Sequence, residues 1–348
     1  MKGKKVKKWV TVACVCLFML GYFVTGSVLA QEKFPFRNGD TIILTVPFSP
    51  GGGFDTYARL LQPPLEKAIE QIGGINVSVI VKNVTGAGGR LAHEQVFRAE
   101  PDGRTLLIAH QGALPYHQVI YGAKLKTSEF SYIAQISEFH NAIIVREDLP
   151  IYSFQDLIKR SHEEPILMAS AGVGDDPHIS PLLISSLLKE EGIEWNMDFV
   201  HFEGTAPARA SLARGETEAL YTVIGSLLPV VESGDARFIM IFTEERDSRC
   251  PRTPTIIEEN IPRAKEMLNA VSSSWALVSS PGLPEVTTEV LRVAAFIAIN
   301  SEEFREHAAK AKRTVYYAPG EVIRQKAVGK VEVIKRYKEM IKKAIGLS

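Results

Sequence analysis

The chain has 348 residues, with 40 Lys plus Arg against 40 Asp plus Glu. Five lysines (Lys2, Lys4, Lys5, Lys7, Lys8) fall within residues 1–30, which hold no acid, so the rest carries 35 basic against 40 acidic groups, a balance of −5. This mildly acidic body excludes the basic surface that nucleic-acid binding needs, and 45% apolar with 23% charged residues excludes polytopic membrane, collagen-like and largely disordered chains.

Residues 2–8 are basic, Trp9 to Val24 is apolar, and Thr25-Gly26-Ser27-Val28-Leu29-Ala30 follows with small or modest residues at Val28 and Ala30. That layout reads as a secretory signal peptide over residues 1–30, cut after Ala30, in a periplasmic or otherwise extracytoplasmic protein. The alternative is an uncleaved anchor, because the apolar run approaches a bilayer span. Cys14 and Cys16 leave with the signal, and Cys250 remains alone. No internal disulfide or cysteine metal cluster can then form, and stability must come from the core.

Beyond the leader, about 320 residues exceed what one core usually supports, so two domains are expected. Thr41 to Val46 reads as a buried strand running into the glycine loop Pro47-Phe48-Ser49-Pro50-Gly51-Gly52-Gly53-Phe54-Asp55. A helical period follows in Ala58, Leu61, Leu65, Ala68, Ile69 and Ile72, with Pro63-Pro64 expected to kink or split it. The unit repeats as a strand from Asn76 to Val81, a second loop from Asn83 to Gly89, a short helix from Arg90 to Ala99 and a strand from Thr105 to Ala109. Such alternation implies a parallel sheet with helices on its faces.

Tyr132 to Val145 is extended and apolar, and the same grammar then restarts. Phe154 to Arg160 reads as a helix, Ile166 to Ala169 as a strand, and Ser170 to Asp176 as a glycine loop. A helix opens at Pro177 behind Asp176 as its cap, burying Ile179, Leu182, Leu183 and Leu187. Further strands are expected at 199–202, 219–224, 238–242 and 275–279, then a helical tail from Glu285 to Ile345 broken near Thr314 to Gly320. Two similar α/β halves suggest two lobes joined by crossing strands, with a ligand cleft between them.

Glycines between a strand end and a helix start let the backbone take φ > 0 and turn successive N–H groups toward one point. The following helix adds the positive end of its dipole. Two such loops at adjacent strand ends, with Asp55 and Asn83 beside them, make an anion cradle without a lysine or arginine. Each loop taken alone reads rather as a tight strand-to-helix turn; the two in succession favour the cradle.

Enzyme motifs are absent. Gly86-Ala87-Gly88-Gly89-Arg90-Leu91 lacks the last glycine of a dinucleotide fingerprint, and no Gly-Lys-Ser/Thr follows either loop. Met168-Ala169-Ser170-Ala171-Gly172 lacks the first glycine of a nucleophile elbow. The eight histidines show no metal-ligand spacing, and only His178, in the first turn of a helix facing the presumed cleft, is kept as a candidate. No cofactor or metal is expected.

Taken in order, these motifs resemble the solute-binding proteins of tripartite tricarboxylate transporters, the Bordetella uptake gene family. The resemblance rests on Pro47-Phe48-x-x-Gly51-Gly52-x-x-Asp55 with Arg59-Leu60-Leu61, then Asn83-x-x-Gly86-Ala87-Gly88-Gly89 and Pro101-Asp102-Gly103-x-Thr105-Leu106. It continues in Ser170-Ala171-Gly172-x-Gly174 with His178, Gly204-Thr205-Ala206-Pro207-Ala208, Pro254-Thr255-Ile256-Ile257-Glu258, Trp275-Ala276-Leu277 and Pro281-Gly282-Leu283-Pro284. It implies a type II periplasmic-binding-protein fold, two doubly wound α/β lobes closing on a small carboxylate.

On that resemblance, lobe 1 comprises residues 31–135 and 240–348, and lobe 2 residues 136–239. Phe48, Ser49, Gly51, Gly52, Gly53, Asp55, Asn83, Gly86, Ala87, Gly88 and Gly89 are expected to hold a ligand carboxylate. Ser170, Gly172, His178, Phe202, Glu203 and Thr205 are expected to set selectivity. The implied protein is a monomer that serves a large polytopic and a small membrane subunit; a ligand-sensing receptor or a secreted α/β enzyme are the alternatives. The chain departs from the family at His201-Phe202-Glu203-Gly204, where Pro-Tyr-Lys-Gly is usual, at Glu218, where aspartate is common, and at Pro63-Pro64. If Glu203 faces the cleft, it is expected to favour an amine or neutral ligand end over a second carboxylate.

Overall fold

The structure, a computed structural model, describes residues 34–347 apart from Gly52, Asp175, Glu203, Gly204 and Lys312. The expected leader and the site candidates Gly52 and Glu203 therefore lie outside the described residues. The strands are β1 (Asp40–Val46), β2 (Val77–Asn83), β3 (Thr105–His110), β4 (Ser131–Phe139), β5 (Asn141–Arg146), β6 (Ile166–Ser170), β7 (Met197–His201), β8 (Ala219–Val223), β9 (Ala236–Phe242), β10 (Ser273–Ser279) and β11 (Ala318–Pro319).

These strands form two sheets. The first runs β11-β4-β10-β3-β1-β2, and the second β7-β6-β8-β5-β9. In the first, β1 pairs in parallel with both β2 and β3, while β10 runs antiparallel between β3 and β4. In the second, β6 is parallel to β7 and β8, and β5 lies antiparallel between β8 and β9. The parallel pairs place the loops after β1 and β2 at one sheet edge, and that is what brings the two glycine loops together. Each lobe has its own core: Ile42, Leu44 and Leu61 belong to one buried cluster, Phe154, Leu183 and Tyr221 to another.

Helix Gly53–Gly73 is unbroken, so the expected split at Pro63-Pro64 does not occur. The prolines remove two backbone donors, but Leu61, Leu65, Ala68 and Ile69 are buried in one cluster with residues of helix Glu285–Asn300. That apolar face offsets the lost hydrogen bonds. The extended stretch 132–145 is two strands belonging to different sheets, β4 and β5, with His140 alone between them.

A second single-residue crossing, Ser272, joins helix Ala264–Val271 to β10. That helix buries Met267, Ala270 and Val271 in the core of the second lobe, and β9 lies wholly in the second sheet. The tail breaks before Gly320, as its sequence suggests, and helix Gly320–Arg336 ties the lobes together a third time. Its Ile323 and Ala327 pack with the first lobe, whereas Val333 and Ile334 pack with the second.

Candidate functional site

The first glycine loop is fastened by Asp55, which is 2% exposed. Its carboxylate accepts from the Gly51 amide at 2.8 Å, Arg59 Nε at 2.9 Å and Asn83 Nδ2 at 3.0 Å. The same Asn83 amide donates to the Phe48 carbonyl at 2.8 Å, so one side chain locks both loops. The Arg59 hydrogen bond, followed by those from Gly51 and Asn83, outweighs desolvation and holds the Asp55 carboxyl at about 2, below its usual 3.8. Behind the loop, Phe48, Phe54 and Trp275 form a tilted aromatic chain with successive centroids 4.6 Å apart, which fixes its approach to the sheet.

The second loop has four consecutive residues at positive φ: Gly86 at 128°, Ala87 at 48°, Gly88 at 62° and Gly89 at 91°. The Gly89 amide donates to the Gly86 carbonyl and the Arg90 amide to that of Ala87. The amides of Ala87 and Gly88 are left without an acceptor inside this turn, and both residues line a cavity. A Cβ added at Gly88 would meet only His117 Nε2, 3.9 Å away, whereas one at Gly89 would press Pro47 at 3.0 Å. Gly88 therefore borders open space and Gly89 a packed floor.

The cavity has a volume of about 490 Å³, within the usual range for small-molecule sites. The first lobe supplies Phe48, Ala87, Gly88 and Arg90, His110 from the end of β3, and Tyr116 and His117 from helix Ala113–Val119. The second lobe supplies Gly174 and Asp176; the start of β10 contributes Ser273, and the tying helix Lys330. The site thus lies between the lobes.

Its histidines are neutral near pH 7. Burial, with Lys330 nearby, pushes His110 down to about 3, and burial beside Arg90 pushes His117 to about 4. His110 Nε2 shares a 2.8 Å hydrogen bond with Ser273 Oγ, while His117 Nδ1 shares a 2.9 Å bond with Nδ1 of buried His93. Burial also raises the Asp176 carboxyl against the pull of Lys330, Ser180 and Asn141, and lowers Lys330 to about 8 against the attraction of Asp176.

Of the residues singled out in the sequence, Phe48, Ala87 and Gly88 reach the cavity wall. Gly51, Asp55, Asn83, Gly86 and Gly89 shape or fasten the two loops, Ser49 is exposed beside them, and Gly53 abuts Trp275. In the second lobe, Ser170 Oγ donates to the Gly172 carbonyl at 2.7 Å, and the His178 ring accepts from the Gly174 amide at 3.0 Å. His178 therefore shapes the loop that reaches the cavity. Phe202 packs on the second lobe's core and Thr205 starts helix Thr205–Ala213; neither lines the wall.

Tyr116, His117 and Lys330 escape sequence reasoning. The first two sit on a seven-residue helix too short to show a period. Lys330 has a visible signal, since it stands in register with the apolar positions Ile323, Ala327 and Ile334 of its helix. Among the described residues no group of His, Cys, Asp and Glu could hold a metal ion, and no helix is long and apolar enough to cross a membrane.

A family model described as "Tripartite tricarboxylate transporter family receptor" matches residues 58–347. A relative from Agrobacterium vitis, described as lying in the TAR-I ttuE-ttuC' intergenic region, is 26% identical over 269 residues, 76% of this chain and 73% of its own. A solved TctC solute-binding protein from Polaromonas superposes with a TM-score of 0.73 at 22% identity, over 87% of this chain and 100% of that one. MatC from Rhodopseudomonas palustris, solved with bound malate, gives 0.60 at 25% identity, over 88% and 100%.

Proposed function

Given that this chain belongs to the tripartite tricarboxylate transporter receptor family, we propose that it captures a small carboxylate-bearing solute between its lobes and hands it to a secondary transporter. It is a solute-binding protein and not an enzyme. The observation that carries the ligand class is the Ala87-Gly88 turn, two amides free of intraturn acceptors at the wall of an interlobe cavity. Malate bound to MatC supports the same class.

In this reading residues 1–30 direct export, and the receptor works as an extracytoplasmic monomer with a large and a small membrane subunit as partners. One lobe takes the six-stranded sheet and the other the five-stranded sheet with helix Ala264–Val271; the crossings at His140 and Ser272 act as hinges. Phe48, Ala87 and Gly88 touch the ligand. Gly51, Gly53, Asp55, Asn83, Gly86 and Gly89 hold the shape of the two loops, Ser170, Gly172, His178, Phe202 and Thr205 act from the second lobe on closure, and Ser49, Gly52 and Glu203 are further candidates for ligand contact. Two amide bonds to a carboxylate are worth about 3–6 kcal/mol together, short of the roughly −8 kcal/mol of a micromolar binder. Other groups of the wall must supply the remainder.

A thermal-shift screen of the exported protein against mono-, di- and tricarboxylates tests the reading. A ligand that binds only the folded state raises Tm. A rise with carboxylates and none with sugars or amines of similar size is expected; no rise with any carboxylate would contradict it.

A further inference from the structure

Lys330 is 1% exposed, yet its side chain ends at the interlobe cavity. Its ammonium donates to the Ser272 carbonyl at 3.1 Å and lies 5.4 Å from the centroid of the Tyr116 ring. No ion pair of Lys330 occurs among the described residues. Asp176 attracts it without an ion-pair contact, so the desolvated ammonium is met directly by a carbonyl and a ring face, which is costly unless an anion completes it.

The neighbouring groups point the same way. Among the described residues the buried Tyr116 hydroxyl has no hydrogen-bond partner. Asp176, the one acid of the described wall, already accepts from Ser180 Oγ at 2.6 Å and Asn141 Nδ2 at 3.1 Å within the second lobe. With both histidines neutral, Arg90 and Lys330 against Asp176 leave the described residues of the wall positive.

We propose that Lys330, together with the Tyr116 hydroxyl, binds a second carboxylate of the ligand, so that this receptor selects dicarboxylates. The inference rests on the carboxylate-receptor reading above. One carboxylate meets the Ala87-Gly88 amides, and the other meets the ammonium on the helix that ties the lobes. Because Lys330 also holds the Ser272 carbonyl at a crossing, the second carboxylate binds at the point where the lobes are joined.

Calorimetry on wild type, Lys330→Met and Tyr116→Phe tests this, with succinate, malate and adipate against butyrate and hexanoate. Wild type should prefer dicarboxylates. Lys330→Met should weaken the best of them at least 100-fold and Tyr116→Phe about tenfold, both leaving monocarboxylate binding within threefold. The ligand-free Tm of Lys330→Met should equal or exceed that of wild type, since a buried cation is removed. If dicarboxylate binding survives in both variants, or monocarboxylates weaken equally, the assignment to Lys330 is overturned while the receptor reading stands. Wild type binding no carboxylate overturns both.

Discussion

Asp55→Asn removes the charge on which donors from Gly51, Arg59 and Asn83 converge while keeping nearly the same shape. The carboxyl is held at about 2 against an ordinary 3.8; at about 1.4 kcal/mol per unit, that difference is about 2 kcal/mol of stability at neutral pH. Its folded value is depressed, so the contribution is complete above pH 3.8 and is lost as pH falls through about 2. Asparagine also turns its own N–H groups on donors that need an acceptor. Urea denaturation should show Asp55→Asn destabilised by about 2 kcal/mol at pH 7 and about 1 kcal/mol at pH 3, with Tm lower by about 3–6 °C. Arg59→Ala should cost less, about 1 kcal/mol, because its bond is the largest single cause of the depressed carboxyl but the side chain is 54% exposed and water partly replaces it. Carboxylate affinity should fall with Asp55→Asn, since the loop is no longer preset. An unchanged Tm and affinity, or an Arg59→Ala loss as large, would refute the view that Asp55 organises the loop.

Gly88→Val places methyl groups in the cavity and a β-branched residue at φ 62°, so carboxylate affinity should drop at least tenfold with about 1–2 kcal/mol of stability lost; calorimetry with normal circular dichroism and full affinity would contradict the cradle. His110 and His117, held near 3 and 4, take up protons on unfolding below pH 6.5, so stability should fall as pH drops from there toward 4. His110→Asn and His117→Asn should each flatten that fall by about 1–2 kcal/mol between pH 7 and 5 in urea denaturation, and unaltered profiles would count against neutral buried rings. Small-angle scattering should give a smaller radius of gyration with saturating ligand, as lobes on two single-residue crossings close; identical profiles would indicate a rigid cleft.

The sheet elements were legible because their signals are local. Ile42, Leu44 and Val46 alternate into a buried face, and the glycine loops mark where strand gives way to helix. Helix Gly53–Gly73 shows the limit of local rules, since tertiary burial carries it through two prolines that propensity alone would exclude. The expected lobe boundary at 135/136 already places a passage between lobes within the run 132–145, but its position at His140 was not legible, because period and composition are the same on both sides of the change of sheet. The cavity was half visible. The glycine loops at its wall follow from glycine spacing, but Tyr116, His117 and Lys330 reach it only through long-range packing, on helices whose sequences announce nothing about a ligand.

The most direct measurement of the central claim is a crystal structure of the protein with the tightest carboxylate from the screen. The account predicts closed lobes and a carboxylate oxygen within hydrogen-bond distance of the Ala87 and Gly88 amides. A ligand seated elsewhere, with those amides facing only water, would contradict it.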